Sequence, residues 1–185
     1  MKTSDERRLR AQRRVLAWLE QISGKKLDWN TLPQELKSKF EPYLEEYSQK
    51  PEVRMRKTME TVAADANLKW TSECPTDHPY NARLDGQLLA GRERVAIVEL
   101  EARNPKQVRG ALLDLISYPA AKKLLVIGVS EVVIDADEVK KHIKEQVMPV
   151  LSNKFGFSEE IGVFTERELK ESPRNLGVFL NVRAT

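Results

Sequence analysis

The segment RLDGQLLAGRERVAIVELEAR, residues 83–103, carries the pattern that decides the fold. Two runs of mainly apolar residues, at 82–90 and 95–103, flank the polar segment AGRER, whose glycine favours a turn. The segment therefore predicts a β-hairpin. In its second strand every even position is apolar, which predicts one buried face: Ala96, Val98, Leu100 and Ala102.

The odd positions of the second strand change from apolar to charged at Glu99, Glu101 and Arg103. Asp85 lies on the first strand, 14 residues before Glu99, so a hairpin of this length brings the three acids together. Carboxylates held so close repel each other unless a cation lies between them. The alternative is a solvated strand edge, on which Arg83 and Arg103 neutralise the acids as ordinary surface ion pairs.

Helices and strands alternate on both sides of the hairpin. Apolar spacing predicts three helices before it, from Thr3 to Gly24, from Pro33 to Pro51 and from Pro51 to Asn67, and a strand at 69–73. After the hairpin the sequence predicts a helix from Pro105 to Pro119, a buried strand at 124–129, a helix at 136–151, a strand at 161–164 and a last strand in LGVFL, 176–180. The expected fold is α/β, with a mixed β-sheet flanked by helices.

Composition restricts the partners and cofactors. The 185 residues include 31 Lys and Arg against 28 Asp and Glu, and the net charge of +3 excludes a protein that binds nucleic acid by bulk charge alone. With one cysteine, Cys74, and two histidines, the chain cannot build a Cys/His zinc site, so oxygen ligands and a hard cation are expected. No apolar run approaches the roughly 20 residues of a membrane helix, and no signal peptide is evident. We therefore expect a soluble, cytoplasmic protein.

The acids of the hairpin carry a resemblance to a known superfamily. Asp85 in RLDG, followed by Glu99-Leu100-Glu101 on the next strand, resembles the PD-(D/E)XK nuclease superfamily, the restriction-endonuclease-like fold. The core of that superfamily is a helix, a three-stranded meander, a helix and further strands. The match covers about residues 52–165. Glu101 stands where the superfamily usually has Lys, and Asp77 in PTD competes with Asp85 for the role of first acid.

The resemblance also implies residues on the neighbouring helices. Glu60 lies on the helix before the sheet, where many members carry an additional acid. Gln107 and Tyr118 are similar to the Gln and Tyr pair of the RecB-related subgroup, and Gln107, Ala111, Asp114 and Tyr118 share one face of the predicted helix. The catalytic residues implied are Asp85, Glu99, Glu101, Glu60 and Gln107.

The function implied is Mg²⁺-dependent hydrolysis of DNA phosphodiester bonds by a restriction-type endonuclease. Asp85, Glu99 and Glu101 would hold Mg²⁺, which Mn²⁺ could replace, and Glu101 could instead orient or deprotonate the attacking water. Cleavage of both strands would suit a homodimer, with the N-terminal helices as its interface. Residues expected to contact DNA are Arg54, Arg56, Lys57, Arg103, Lys106 and Tyr118.

Two further hypotheses stay open. A catalytically inactive nucleic-acid-binding module on the same fold would also explain the motif, because Glu101 replaces the usual Lys. A helical interaction protein with an incidental sheet would bind neither DNA nor metal. We expect two regions, a helical N-terminal extension at 1–50 and a nuclease-like domain at 51–185.

Overall fold

The hairpin belongs to a five-stranded mixed sheet surrounded by helices. The computed structural model describes residues 3–75, 83–102, 105–118, 122–129 and 135–182. The strands follow one another across the sheet in chain order, so each strand pairs with the next. They are β1 (Lys69–Pro75), β2 (Arg83–Ala90), β3 (Glu93–Glu101), β4 (Lys123–Ile127) and β5 (Ile161–Thr165).

The helices precede the sheet, connect its strands or, as α7 and α8 do, follow the last strand. Three of them come before β1, a fourth connects β3 with β4, and two connect β4 with β5. A 3-10 turn at Trp29–Thr31 and a π-helical turn at Ile143–Val147 complete the pattern. The helices are α1 (Ser4–Ser23), α2 (Gln34–Ser48), α3 (Pro51–Asp65), α4 (Pro105–Ser117), α5 (Ala136–His142), α6 (Met148–Phe155), α7 (Glu166–Glu171) and α8 (Arg174–Leu180).

The two residues at which the sequence predicts the first helix to begin and end, Thr3 and Gly24, cap α1. The Thr3 hydroxyl accepts a hydrogen bond from the Glu6 backbone N–H, and the Glu6 carboxylate accepts one from the Thr3 N–H, which forms a capping box. Gly24 ends the helix with φ of 68°, a left-handed conformation that glycine adopts without strain. The helix therefore begins and ends where the sequence predicts.

The sheet combines an antiparallel meander with a parallel half. β1, β2 and β3 pair antiparallel, and Gly91, with φ of 62°, lies in the tight turn between β2 and β3. β4 lies parallel to β3, and β5 lies parallel to β4. The hairpin and the mixed α/β sheet are confirmed. The turn is shorter than the five-residue segment AGRER, because β3 already begins at Glu93.

Each face of the sheet has its own hydrophobic core. Ile97, Leu125 and Val163 point to one face, which packs against α1, α2, α4 and α5. Val98 and Val126 point to the other face, which packs against α3, α7 and α8. Because side chains alternate along a strand, Glu99 and Glu101 project toward the face of Ile97 and α4.

One predicted strand is wrong. The segment LGVFL at 176–180 is the end of α8, in which Leu176, Gly177 and Leu180 are buried. A short apolar run does not distinguish a strand from a buried helix by its periodicity. Here burial at intervals of three and four residues fits a helix.

The helix predicted at 136–151 is confirmed, with a π-helical turn within it. Asp135 caps α5 by accepting hydrogen bonds from the Asp137 and Glu138 backbone N–H groups. A π-helical turn then separates α5 from α6, which extends to Phe155.

None of the helices in the described ranges combines the length and the hydrophobicity of a membrane span.

Candidate active site

Asp85 and Glu99 face each other on adjacent antiparallel strands. The paired part of β2 and β3 ends at Gly86 and Val98, and Asp85 and Glu99 are the next residues on their strands. The Asp85 carboxylate accepts a hydrogen bond of 2.9 Å from the Leu100 backbone N–H to its Oδ2 atom. A hydrogen bond also joins the two carboxyl groups. Asp85 and Glu99, the first two acids of the predicted motif, are therefore in contact in the structure.

Glu99 lies in an environment that disfavours its negative charge. Glu99 is only 8% exposed to solvent. Burial in the sheet, and next the charge and hydrogen bond of Asp85, raise the pKa of Glu99 to about 9. The charge of Asp114 on α4 raises it further. At neutral pH the Asp85–Glu99 pair therefore holds a proton in the place that a cation could take.

Glu101 is more deeply buried than Glu99. It is 1% exposed and lies two residues further along the same face of β3. Among the residues that the structure describes, no three His, Cys, Asp or Glu side chains form a group that could hold a metal ion. The predicted trio of metal ligands is therefore reduced to the Asp85–Glu99 pair in this arrangement.

Asp114 is an acid at this site that the sequence analysis does not assign a role. It lies on α4, seven residues after Gln107, which is two helical turns, and its charge acts on Glu99. The residue is exposed, and partial burial of its carboxylate raises the pKa of Asp114. The sequence signal that could have found Asp114 is its position on the same helix face as Gln107 and Tyr118.

Tyr118, predicted to contact DNA, connects α4 to the hairpin. Its hydroxyl accepts a hydrogen bond of 2.7 Å from Nη1 of Arg94, whose guanidinium lies 5.6 Å from the centre of the tyrosine ring. Nε of Arg94 donates to Oε1 of Gln87 at 2.7 Å. These contacts hold α4 against β2 and β3. Gln107 lies half-buried in the first turns of α4.

Three predicted site residues lie on α3, away from the Asp85–Glu99 pair. α3 packs against the face of Val98, which is opposite to the face of Glu99. Glu60 and Lys57 are exposed there, and Arg56 pairs with Glu52 at 3.3 Å. The structure therefore does not bring Glu60 to the pair of acids.

Arg54, the fourth candidate on α3, is a buried residue and not part of a surface that could contact DNA. It is 4% exposed, and its Nε atom donates to both carboxylate oxygens of Glu166, at 3.1 Å and 2.8 Å. Nη2 donates to the Val129 carbonyl at 2.8 Å. Burial alone would raise the pKa of Glu166, but the hydrogen bond and charge of Arg54 hold it below its ordinary value. Arg54 thus ties α3 to the start of α7.

Three candidate residues remain, and the structure describes one of them. Lys106 is exposed in the first turn of α4. Arg103 and Asp77 lie outside the described residues. Comparison with other proteins adds no assignment: no family model matches this chain, and neither the curated proteins nor the solved structures contain a match.

Proposed function

We propose that the protein is a Mg²⁺-dependent DNA endonuclease of the restriction type, which hydrolyses phosphodiester bonds. The observation that carries this proposal is the Asp85–Glu99 pair, two carboxyl groups that are joined by a hydrogen bond on adjacent strands. Ionising both groups at this buried position would cost free energy, because it would leave two negative charges in contact. A divalent cation would relieve that repulsion and displace the proton.

The topology around the pair supports the same proposal. α3 precedes a meander of three antiparallel strands, α4 follows it, and β4 then lies parallel to β3. This is the order of elements that the resemblance to the PD-(D/E)XK nucleases implies. Asp85 lies on the second strand of the meander and Glu99 on the third, where that superfamily carries its acids.

The residues of the pair have distinct roles in this proposal. The Leu100 N–H fixes the orientation of the Asp85 carboxylate, and β3 holds Glu99 beside it. Both would serve as ligands of Mg²⁺. The chemistry supplied by a bound Mg²⁺ is polarisation of the scissile phosphate and a lowered pKa of water. We assign Glu101 to orienting that water, because it lies on the same face of β3.

A nucleic-acid-binding module without catalysis is the second candidate. The observation that favours it is Glu101, which replaces the Lys of the superfamily and is 1% exposed. A buried acid at that position brings no positive charge to a phosphate. Such a module would bind DNA but leave it intact.

Cleavage assays distinguish the two candidates. The protein is incubated with plasmid and with unmodified phage DNA in Mg²⁺, Mn²⁺ or EDTA, together with Asp85→Ala and the matched control Glu45→Ala, an exposed acid of α2. A nuclease cuts with metal and not with EDTA, and Asp85→Ala abolishes cleavage while DNA affinity stays equal or rises. Binding without cleavage on every substrate supports the module. Mg²⁺-dependent cleavage by Asp85→Ala refutes the assignment of the site.

A further inference from the structure

A cavity lies apart from the Asp85–Glu99 pair, at the carboxyl ends of the parallel strands β4 and β5. It has a volume of about 430 Å³. Its lining includes Ile127 and Thr165 at the ends of the two strands, residues at the start of α5, and aromatic residues of α1 and α2. In open α/β sheets the carboxyl ends of parallel strands are where ligands commonly bind. The volume lies within the range of small-molecule sites, about 300 to 1,000 Å³.

One wall of this cavity is an aromatic corner. Trp18 of α1 and Phe40 of α2 meet edge to face, with ring centroids 6.1 Å apart. Trp18 is 45% exposed, although it is a large apolar side chain and borders the cavity. Packing within the protein explains only the covered part of the indole. The indole therefore borders the cavity and is also partly exposed.

The lining of the cavity also contains acidic residues. Asp137 and Glu138, exposed in the first turn of α5, line the cavity together with Asp135. Capping explains only Asp135, whose Oδ1 atom accepts hydrogen bonds from the Asp137 and Glu138 N–H groups. Among the described lining residues, Arg167 is the one that carries positive charge.

Two further acids of the lining are already compensated. Glu166 pairs with Arg54 and with Lys170, and Glu46 pairs with Lys170 at 3.0 Å. The excess negative charge of the lining therefore comes from the start of α5.

We propose that this cavity binds an organic cation, an alkylammonium or guanidinium group carried on a flexible chain. Such a group is attracted to the faces of Trp and Phe and to carboxylates at the same time. A free polyamine and an arginine side chain of a partner peptide present the same chemistry. An anionic ligand is disfavoured by the acids of α5. This proposal does not depend on the nuclease function, because it uses none of the residues assigned to DNA cleavage.

Titration calorimetry on the full chain tests the proposal with three probes: spermidine, a short peptide with one arginine, and the same peptide with glutamine in its place. We expect spermidine or the arginine peptide to bind, and the glutamine peptide not to bind. Tighter binding of spermidine identifies a free polyamine as the ligand, and tighter binding of the peptide identifies an arginine side chain. Failure of both cationic probes to bind the wild-type protein overturns the proposal.

Variants then place the binding in this cavity. The double variant Asp137→Asn with Glu138→Gln, and separately Trp18→Ala, should each weaken binding by about tenfold. Glu145→Gln, an exposed acid of the same helical region outside the cavity, should bind as the wild type does. Each variant is used only if its thermal unfolding matches the wild type. Unchanged affinity in both cavity variants places the cation elsewhere and contradicts the proposal.

Discussion

The carboxyl groups of Asp85 and Glu99 meet across the β2–β3 ladder, with a hydrogen bond between them and the Leu100 N–H bound to Asp85. This contact places a proton between two acids in a largely buried position. Folding therefore disfavours ionisation of Glu99, and the same contact provides a place for a cation. Under the proposed function, stability and metal binding are opposed at this position, since a neutral side chain would be more stable there but would bind a cation more weakly.

Glu99→Gln should stabilise the metal-free protein at neutral and alkaline pH. The folded pKa of about 9 lies above the ordinary value of 4.5, so the native state keeps a proton that the unfolded chain releases. Wild-type stability is then highest below pH 4.5 as far as this group is concerned, and falls as the pH rises toward 9. We expect the variant to gain about 1 to 3 kcal/mol at pH 7.

Urea unfolding at pH 5, 7 and 8.5 measures this effect. The gap between Glu99→Gln and the wild type should widen as the pH rises over this range, because only the wild type has the buried carboxyl. Glu45→Gln, an exposed substitution, should show no such widening. Equal stability of Glu99→Gln and wild type at all three values would contradict the protonated pair.

Asp114→Asn should lower the pKa of Glu99. The negative charge of Asp114 is one of the groups that disfavour ionisation of Glu99, although burial and Asp85 contribute more. Removal of that charge makes ionisation easier. Carboxyl ¹³C NMR titration of Glu99 measures the change, and a titration identical to the wild type would show that Asp114 does not act on the pair.

Arg54→Met should strongly destabilise the fold. It leaves the Glu166 carboxylate, 2% exposed, without its main partner, and breaking a buried ion pair from one side costs about 3 to 5 kcal/mol. The double variant Arg54→Met with Glu166→Leu should recover much of this loss. Because Arg54 holds the pKa of Glu166 low, wild-type stability from this pair is present above pH 4.5 and is lost as the pH falls below it.

Denaturant unfolding of the single and double variants at pH 7 and pH 4 measures this pair. A small loss in Arg54→Met, with DNA affinity reduced, would instead indicate that Arg54 contacts DNA as the sequence predicts.

Gly86→Ala should destabilise the hairpin next to Asp85. A Cβ atom at this position would lie 2.2 Å from Cη2 of Trp70 and 2.7 Å from the Thr71 carbonyl oxygen. Such overpacking typically costs about 1 to 3 kcal/mol. Thermal unfolding should show the loss, and adding Trp70→Leu should restore only part of it, since the contact with the Thr71 backbone remains. A variant as stable as the wild type would contradict this close packing.

Sequence patterns predict most of the fold and the central pair of acids. Local rules of spacing and alternation account for the helix caps at Thr3 and Asp135 and for the hairpin. They also account for the contact between Asp85 and Glu99. The strand predicted for LGVFL is wrong because a short apolar run fits either a strand or a helix.

The position of α3 relative to the sheet is not a local property. For this reason the sequence places Glu60 and Arg54 at the site, whereas packing sets Glu60 on the opposite side and buries Arg54 against Glu166. That ion pair joins residues 112 positions apart, a separation that no local pattern encodes. Glu101 matches its motif by spacing, but spacing alone does not indicate that its side chain is buried.

Binding of Mn²⁺ tests the central claim most directly, namely that Asp85 and Glu99 together hold a divalent cation. Titration calorimetry at pH 7.5 compares the wild type with Asp85→Asn, Glu99→Gln and the exposed control Glu45→Gln. We expect the wild type and the control to bind Mn²⁺ with equal affinity and to release protons, and each site variant to bind at least about tenfold more weakly. Absence of binding to the wild type, or equal affinity in all four proteins, would contradict the account.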